Sequence, residues 1–364
     1  MKISIGSKIV EGPWGGGNLF VQNLSSYLIK KGHRVIYDLS EPDIDLILLT
    51  DPRSRRESSS TFNHIDILKY KKYVNANSVV VQRINECDER KGTDFINKFY
   101  LNASDCADHV VFVSSWLKDI YLKLGMSETK TSVILAGANS EIFNSKNSVY
   151  WNKKEKIKLV THHWSNHKNK GFDSYQQIDN LISHEYWKKK IEFTYIGNFN
   201  QDYDLKFTKI LPPMAGLELA SELKKNHIYV TASINEPSGN HHIEAAQCGL
   251  PILYLESGGI PEYCDGFGVS FSNNLKIKLE ELIENYDNLK IKMNSYTLNS
   301  DIMCDDFYNL FESLLKNQSL HLKKNNSHLF AKLFIFKSRF LKIFRDQIFT
   351  IIKSILFKIP RILR

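Results

Sequence analysis

Short apolar runs alternate along the chain with stretches whose apolar positions fall three or four residues apart. The first run, Ile3-Ser4-Ile5, predicts a strand that leads into Gly12-Pro13-Trp14-Gly15-Gly16-Gly17-Asn18. Phe20, Leu24, Tyr27 and Leu28 then share one helical face, and Gly32 ends that helix. Arg34-Val35-Ile36-Tyr37 predicts the next strand. Leu46-Ile47-Leu48-Leu49, Val79-Val80-Val81 and His109-Val110-Val111-Phe112-Val113 are near-continuous apolar runs, as strands buried on both faces require. Ser115 is expected to cap a helix that ends at Gly125, and Ser132-Val133-Ile134 closes the first half.

A polar, Lys/Asn-rich stretch from about Asn144 to Lys156 reads as a linker. The pattern then restarts with Ile157-Lys158-Leu159-Val160, followed by Phe193-Thr194-Tyr195-Ile196, Ile228-Tyr229-Val230 and Ile252-Leu253-Tyr254-Leu255, with helices between. Strands alternating with helices predict parallel sheets covered on both faces, an α/β class. Ligands of such sheets lie at the carboxyl ends of the strands, so two such domains predict a ligand in the cleft between them. No internal repeat stands out.

The length of 364 residues suits two domains, and the apolar and charged fractions are those of an ordinary globular chain. Five scattered cysteines without a C-x-x-C pair predict small buried thiols, not a zinc site or a disulfide frame. The start reads as a strand and not as a secretory leader, and no run of eighteen apolar residues is present. The net charge of +8 is unevenly spread. Residues 319–364 hold eleven of the 48 Lys/Arg and one of the 40 Asp/Glu, which leaves the rest with 37 bases against 39 acids. In that tail Leu333, Phe336, Phe340, Phe344, Ile348, Ile351, Ile355 and Ile359 recur at helical spacing, interleaved with Lys332, Arg339, Lys342, Arg345, Lys353 and Lys358. A basic helix with a broad apolar face suits an anionic membrane surface, reached through residues 329–364, and docking on protein is the competing reading. Nucleic acid fits less well, because the body carries no basic excess.

The richest stretch is Glu236-Pro237-Ser238-Gly239-Asn240-His241-His242-Ile243-Glu244-Ala245, which runs on through Gly249 and Pro251 to Gly258-Gly259-Ile260-Pro261-Glu262-Tyr263. Seven residues separate Glu236 from Glu244. The first is expected in a turn and the second inside the following helix. Unpaired N–H groups at that helix start suit a phosphate, and a carboxylate two turns away suits sugar hydroxyls. This segment resembles the donor-binding motif of the family 4 glycosyltransferases: Glu, seven residues, Glu-Ala, three residues, Gly-x-Pro.

The resemblance runs from about residue 1 to 318. It implies a GT-B fold, two Rossmann-like domains whose parallel sheets face a central cleft, here followed by the basic amphipathic helical tail. Residues 1–148 are then an acceptor domain, 149–318 a nucleotide-sugar donor domain and 319–364 the tail. The implied reaction is transfer of a sugar from a nucleotide-diphosphate donor to a glycan or lipid-linked acceptor. It proceeds with retention of configuration and without a metal or other cofactor. The setting is cell-surface polysaccharide synthesis, cytoplasmic and peripheral on the inner face of the plasma membrane.

Residue by residue, the resemblance makes Glu236 and Lys170 the catalytic groups and gives Glu244 the nucleotide ribose. Ser238, Gly239, Asn240 and His241 form the phosphate-binding helix start, and Gly16 and Gly17 the facing loop. Lys170-Gly171 matches the family's Lys-Gly, but the family's second cation, an Arg, is missing from Thr161–Phe172. His163, His167 and Lys168 are the candidates to replace it. Three imidazoles in this loop also raise a metal site, which lacks a carboxylate or thiol in register. Arg83 and Asn85 follow a buried strand at the cleft edge, where acceptor binding and structural ion pairing weigh equally. A GT-B sugar-nucleotide epimerase and a non-catalytic membrane-associated glycan-binding protein are the alternatives.

Overall fold

The computed structural model describes residues 1–9, 15–53, 59–318 and 329–340. Gly12, Pro13 and Trp14 therefore lie outside it, as do Lys342 and every later tail position named above. The first domain holds six strands: β1 (Lys2–Ile5), β2 (Arg34–Ile36), β3 (Leu46–Leu49), β4 (Val79–Ile84), β5 (His109–Phe112) and β6 (Thr131–Val133). They form one parallel sheet in the order β2-β1-β3-β4-β5-β6. Every residue of β3 and β4 is buried, which is why Leu46–Leu49 and Val79–Val81 read as unbroken apolar runs; β4 then continues through the buried polar pair Gln82 and Arg83.

The second domain repeats the plan with β7 (Ile157–His163), β8 (Ile191–Gly197), β9 (Lys209–Leu211), β10 (Ile228–Thr231), β11 (Ile252–Leu255) and β12 (Gly268–Phe271). Their order is β12-β11-β10-β7-β8-β9, again parallel. Two strands were not expected from the sequence, β9 and β12. Both are edge strands, so neither carries a two-sided apolar run. β7 runs three residues beyond its expected end, and this places His162 and His163 on the sheet. The helix Ser115–Lys123 is capped by Ser114, whose hydroxyl accepts from Leu117 N at 3.3 Å, and not by Ser115 as expected. All five cysteines are free and buried.

The chain crosses between domains twice. Ala138 on the way out bridges Asn299 on the way back, and a Cβ at Gly137 would stand 2.0 Å from the Asn299 carbonyl oxygen. The last long helix, Ser300–Gln318, returns to the first domain. There Phe307 packs on Phe20, with ring centroids 5.2 Å apart, and the Tyr27 hydroxyl donates to Asp305 at 2.6 Å.

Residues 329–340 form a helix on the first domain. Ala331, Phe334 and Ile335 pack against its core, Phe334 lies 6.0 Å from the Tyr70 ring, and Arg339 Nε donates to the Ser40 carbonyl at 3.3 Å. Leu329, Leu333 and Phe336 stand on another face and are 67%, 55% and 71% exposed. The described start of the tail is therefore docked on protein along one side and apolar towards solvent along the other. Among the described residues no helix is long and apolar enough to cross a membrane.

Candidate active site

β10 ends at Thr231 and the chain turns through Glu236 into the helix Asn240–Gln247. Gly239 occupies the cap position, so no side chain satisfies the first N–H groups. The helix Gly16–Lys30 likewise starts behind Gly15 without a side-chain cap. The two starts meet: a Cβ at Gly16 would lie 2.8 Å from Asn240 Oδ1. Two uncapped helix ends thus bring their partial positive charge to one point of the cleft. Gly17 follows on the exposed side of the same turn.

Glu236 stands beside this point, 4% exposed. Lys170 Nζ lies 2.5 Å from its Oε2, and Arg90 Nε lies 3.0 Å from its Oε1. Burial alone pushes the Glu236 carboxyl up, but Lys170 and then Arg90 outweigh it and hold the group below its ordinary value. Lys170 reaches inward because the chain reverses at Gly171. That residue has φ 93°, and a Cβ there would strike Ala232 at 2.4 Å, so only glycine fits. Arg90 comes from the other domain, on the short helix Asp88–Lys91 after β4. Its Nη1 binds both Glu86 carboxylate oxygens at 3.0 Å, and Lys91 pairs with Glu86 at 3.1 Å. Three cations, Lys170, Arg90 and Lys91, thus face the two carboxylates Glu236 and Glu86.

Arg90 was not singled out by the sequence reading. Residues 88–91 look like a solvated charge run, and only the packing of the domains brings them to Glu236. The polar cluster after β4 was the available signal. Of the three candidates for a second cation, none reaches Glu236. His163 is buried and its Nε2 bonds the Tyr175 hydroxyl at 2.6 Å. His167 is exposed and accepts from Asn169 N at 3.3 Å, and Lys168 is exposed.

Glu244 is buried one helix turn beyond His241, and His162 Nε2 donates to its Oε2 at 3.0 Å. The alternation of β7 sends His162 towards Glu244 and His163 towards Tyr175. His241 shares a 2.8 Å hydrogen bond with the Thr231 hydroxyl, and its ring lies 4.7 Å from that of His163. Burial keeps His163 and His241 well below the ordinary imidazole value and His242 down at about 3, so all three are neutral at pH 7. Among the described residues no three His, Cys, Asp or Glu side chains group as a metal site.

The domains touch around this centre. Glu262 accepts from Ser115 N at 2.8 Å and Trp116 N at 2.9 Å, capping a first-domain helix from the second domain. The Tyr263 hydroxyl donates to the Val113 carbonyl and accepts from Ala136 N, and it interacts with Ser238. Asn169 Nδ2 and Asn235 Nδ2 donate to the carbonyls of Arg90 and Glu89, each at 3.1 Å. Asn85 is half-buried at the end of β4, and Arg83 lies buried within that strand.

No family model and no curated protein matches the sequence. Solved structures do match the fold. A glycosyltransferase from Rickettsia africae ESF-5 superposes with a TM-score of 0.61 at 13% identity, over 87% of this chain and 98% of that one. Anabaena Alr3699/HepE, in complex with UDP and glucose, gives 0.61 at 15% identity, over 86% of this chain and 100% of that one. The lipopolysaccharide outer core galactosyltransferase WaaB, in its apo form, gives 0.59 at 12% identity over 86% and 99%. At these identities the likeness is one of architecture: the protein has the α/β GT-B fold of glycosyltransferases.

Proposed function

We propose that the protein is a glycosyltransferase that moves a sugar from a nucleotide-diphosphate donor to a glycan or lipid-linked glycan, with retention of configuration and without a metal. The observation that carries this reading is the convergence at Glu236. One carboxylate sits between Lys170 and Arg90, where two uncapped helix starts meet. That is a cradle for a diphosphate with a hydroxyl acceptor at its edge. The complexes of the Anabaena neighbour with UDP and with UDP-glucose support a donor of this class.

The barrier to such a transfer is largely departure of the nucleotide diphosphate. Fixed positive charge at the leaving group lowers it more than charge supplied by mobile water, because no reorganisation is needed. Lys170, Arg90 and the N–H groups at residues 239–241 supply that charge. Glu236 binds the donor sugar hydroxyls and Glu244 the ribose. His162 holds the Glu244 carboxylate in place, and the neutral His241 and His242 add no charge that would compete. The Glu262 and Tyr263 contacts close the cleft, which excludes water from the activated sugar.

The tail extends the proposal. Leu333 and Phe336 face outward from a helix clamped to the acceptor domain, with Lys332 and Lys337 beside them. Each basic residue near an anionic leaflet adds about 1 kcal/mol of attraction. Docked this way, the acceptor domain lies against the inner face of the plasma membrane, where a lipid-linked acceptor of cell-surface polysaccharide resides. Incubation with labelled nucleotide-sugars and glycan acceptors tests the activity. Transfer supports it, interconversion of the sugar points to an epimerase, and binding without either points to a non-catalytic protein.

A further inference from the structure

Arg83 is the exception among the interior arginines. Arg53 pairs with Asp51 at 2.7 Å, and Arg90 has two carboxylate partners. Arg83 is 6% exposed, and among the described residues no carboxylate pairs with its guanidinium. Its side chain leaves β4 on the same face as Val79 and Val81 and spreads over the Phe20 ring, 4.1 Å from the centroid. Phe20 belongs to the helix that starts at the cleft with Gly16. Burial pushes the Arg83 guanidinium down to about 10, and the groups that oppose this are the hydroxyls of Tyr263 from the second domain and Tyr100. The Tyr263 hydroxyl is already committed to Val113, Ala136 and Ser238. A cation–π contact offsets only part of the cost of burying a charge. The protein therefore carries a desolvated cation at the seam of its domains that no acidic side chain neutralises.

We propose that Arg83 is a receptor for an oxyanion, a phosphate or carboxylate group carried into the cleft by a substrate. The guanidinium fork matches both groups with two parallel hydrogen bonds, and the desolvation is already in place before the ligand arrives. Structural ion pairing, the competing role, has no acidic partner to work with. The proposal rests on the transferase reading and narrows it. Two substrates bring such a group: the donor through its diphosphate, and an acceptor that bears a phosphate or a uronic-type carboxylate.

Full-length protein is compared with Arg83→Met and Arg83→Lys. Melting temperature is measured first. An apolar chain of similar length in place of an unpaired buried cation is expected to leave it unchanged or higher. UDP, GDP and ADP are then titrated by calorimetry, and inorganic phosphate and glucuronate are titrated onto protein saturated with the diphosphate that binds. At least a tenfold loss of affinity in Arg83→Met is expected. Loss in the diphosphate arm assigns the oxyanion to the donor, and loss in the phosphate or glucuronate arm assigns it to the acceptor. Unchanged affinity in every arm overturns the proposal. If Arg83→Met does not fold, Arg83→Lys decides: it keeps charge and length but lacks the fork, and unchanged affinity there also overturns it. Wild-type protein that binds no nucleoside diphosphate rejects the transferase reading instead, and inorganic phosphate and glucuronate titrated onto the free protein then read Arg83 by the same comparison.

Discussion

Arg90 on the first domain and Glu236 on the second are joined across the cleft by a 3.0 Å ion pair. The same guanidinium is held from behind by Glu86, so it bridges carboxylates of both domains. The cation proposed to bind the leaving group is thus also a latch between the domains. Arg90→Gln leaves Glu86 and Glu236 with fewer partners, and breaking a buried pair costs about 3–5 kcal/mol. We expect turnover to fall by about two orders of magnitude at saturating donor. Scattering in solution is expected to show a wider separation of the domains. Arg90→Gln with wild-type turnover removes Arg90 from the site.

Lys170→Ala is expected to lower turnover more than donor affinity. The diphosphate gains charge as the sugar leaves, so the cation contributes more in the transition state than in the ground state. Measurement of kcat beside the donor Kd separates the two. An equal loss in both would make Lys170 a binding residue only. Chelator is expected to alter neither value; abolition by chelator with rescue by a divalent cation rejects the metal-free mechanism.

Glu244→Gln keeps the size of the side chain and a hydrogen bond to His162 while it removes the charge. A charge-assisted hydrogen bond contributes about 1.5–3 kcal/mol. Donor affinity is therefore expected to drop about tenfold to a hundredfold with little change in melting temperature. Calorimetric titration checks this, and unchanged affinity takes the ribose away from Glu244.

Stability is expected to decline from pH 6.5 downward. The unfolded chain protonates its histidines near pH 6.5, whereas burial holds His163 and His241 well below that and His242 at about 3. The unfolded state then binds more protons through this window, so acid favours it. Glu236 acts in the same sense at lower pH. Its contribution is complete above about 4.5 and is lost as pH falls through its depressed folded value. A melting temperature that stays flat between pH 7 and 5 contradicts the burial of these rings.

Leu333→Glu combined with Phe336→Glu is expected to abolish binding to vesicles that contain anionic lipid while leaving the fold intact, because both side chains are exposed. Removal of everything after Gln318 is a harsher change. It uncovers the Tyr70 and Tyr73 surface that Phe334 and Phe330 cover, so some loss of stability is expected with it. Wild-type binding should weaken as salt rises. Vesicle sedimentation that is equal for wild type and the double variant assigns the helix to protein packing alone.

The turn and helix from Glu236 to Gln247 were legible because a Pro-Ser-Gly turn and the helix it opens are set by residue types at fixed local spacing. The same holds for Lys170-Gly171, where the reversal tolerates only glycine. Arg90 was not legible, since its role comes from two domains meeting and its own neighbours are ordinary surface charges. His162 is not legible as a partner of Glu244, because the expected strand ends at Val160 and leaves its side chain without a face. Once the strand runs on, alternation decides which ring faces Glu244. β9 and β12 were missed for a related reason: an edge strand buries one side only, and three or four residues leave too little pattern to read.

Ala138 and Asn299 lie side by side where the chain enters and leaves the second domain. Topologically, that domain is an insert spliced into the first, with its two ends together. Such inserts exchange readily, because joining neighbouring ends places no strain on the host. A cut at these two positions would lift out the second domain as a cassette and leave both segments of the first behind. The junction is also tight: a Cβ at Gly137 would meet the Asn299 backbone, so the two crossings touch main chain to main chain and leave no slack between the ends of the insert.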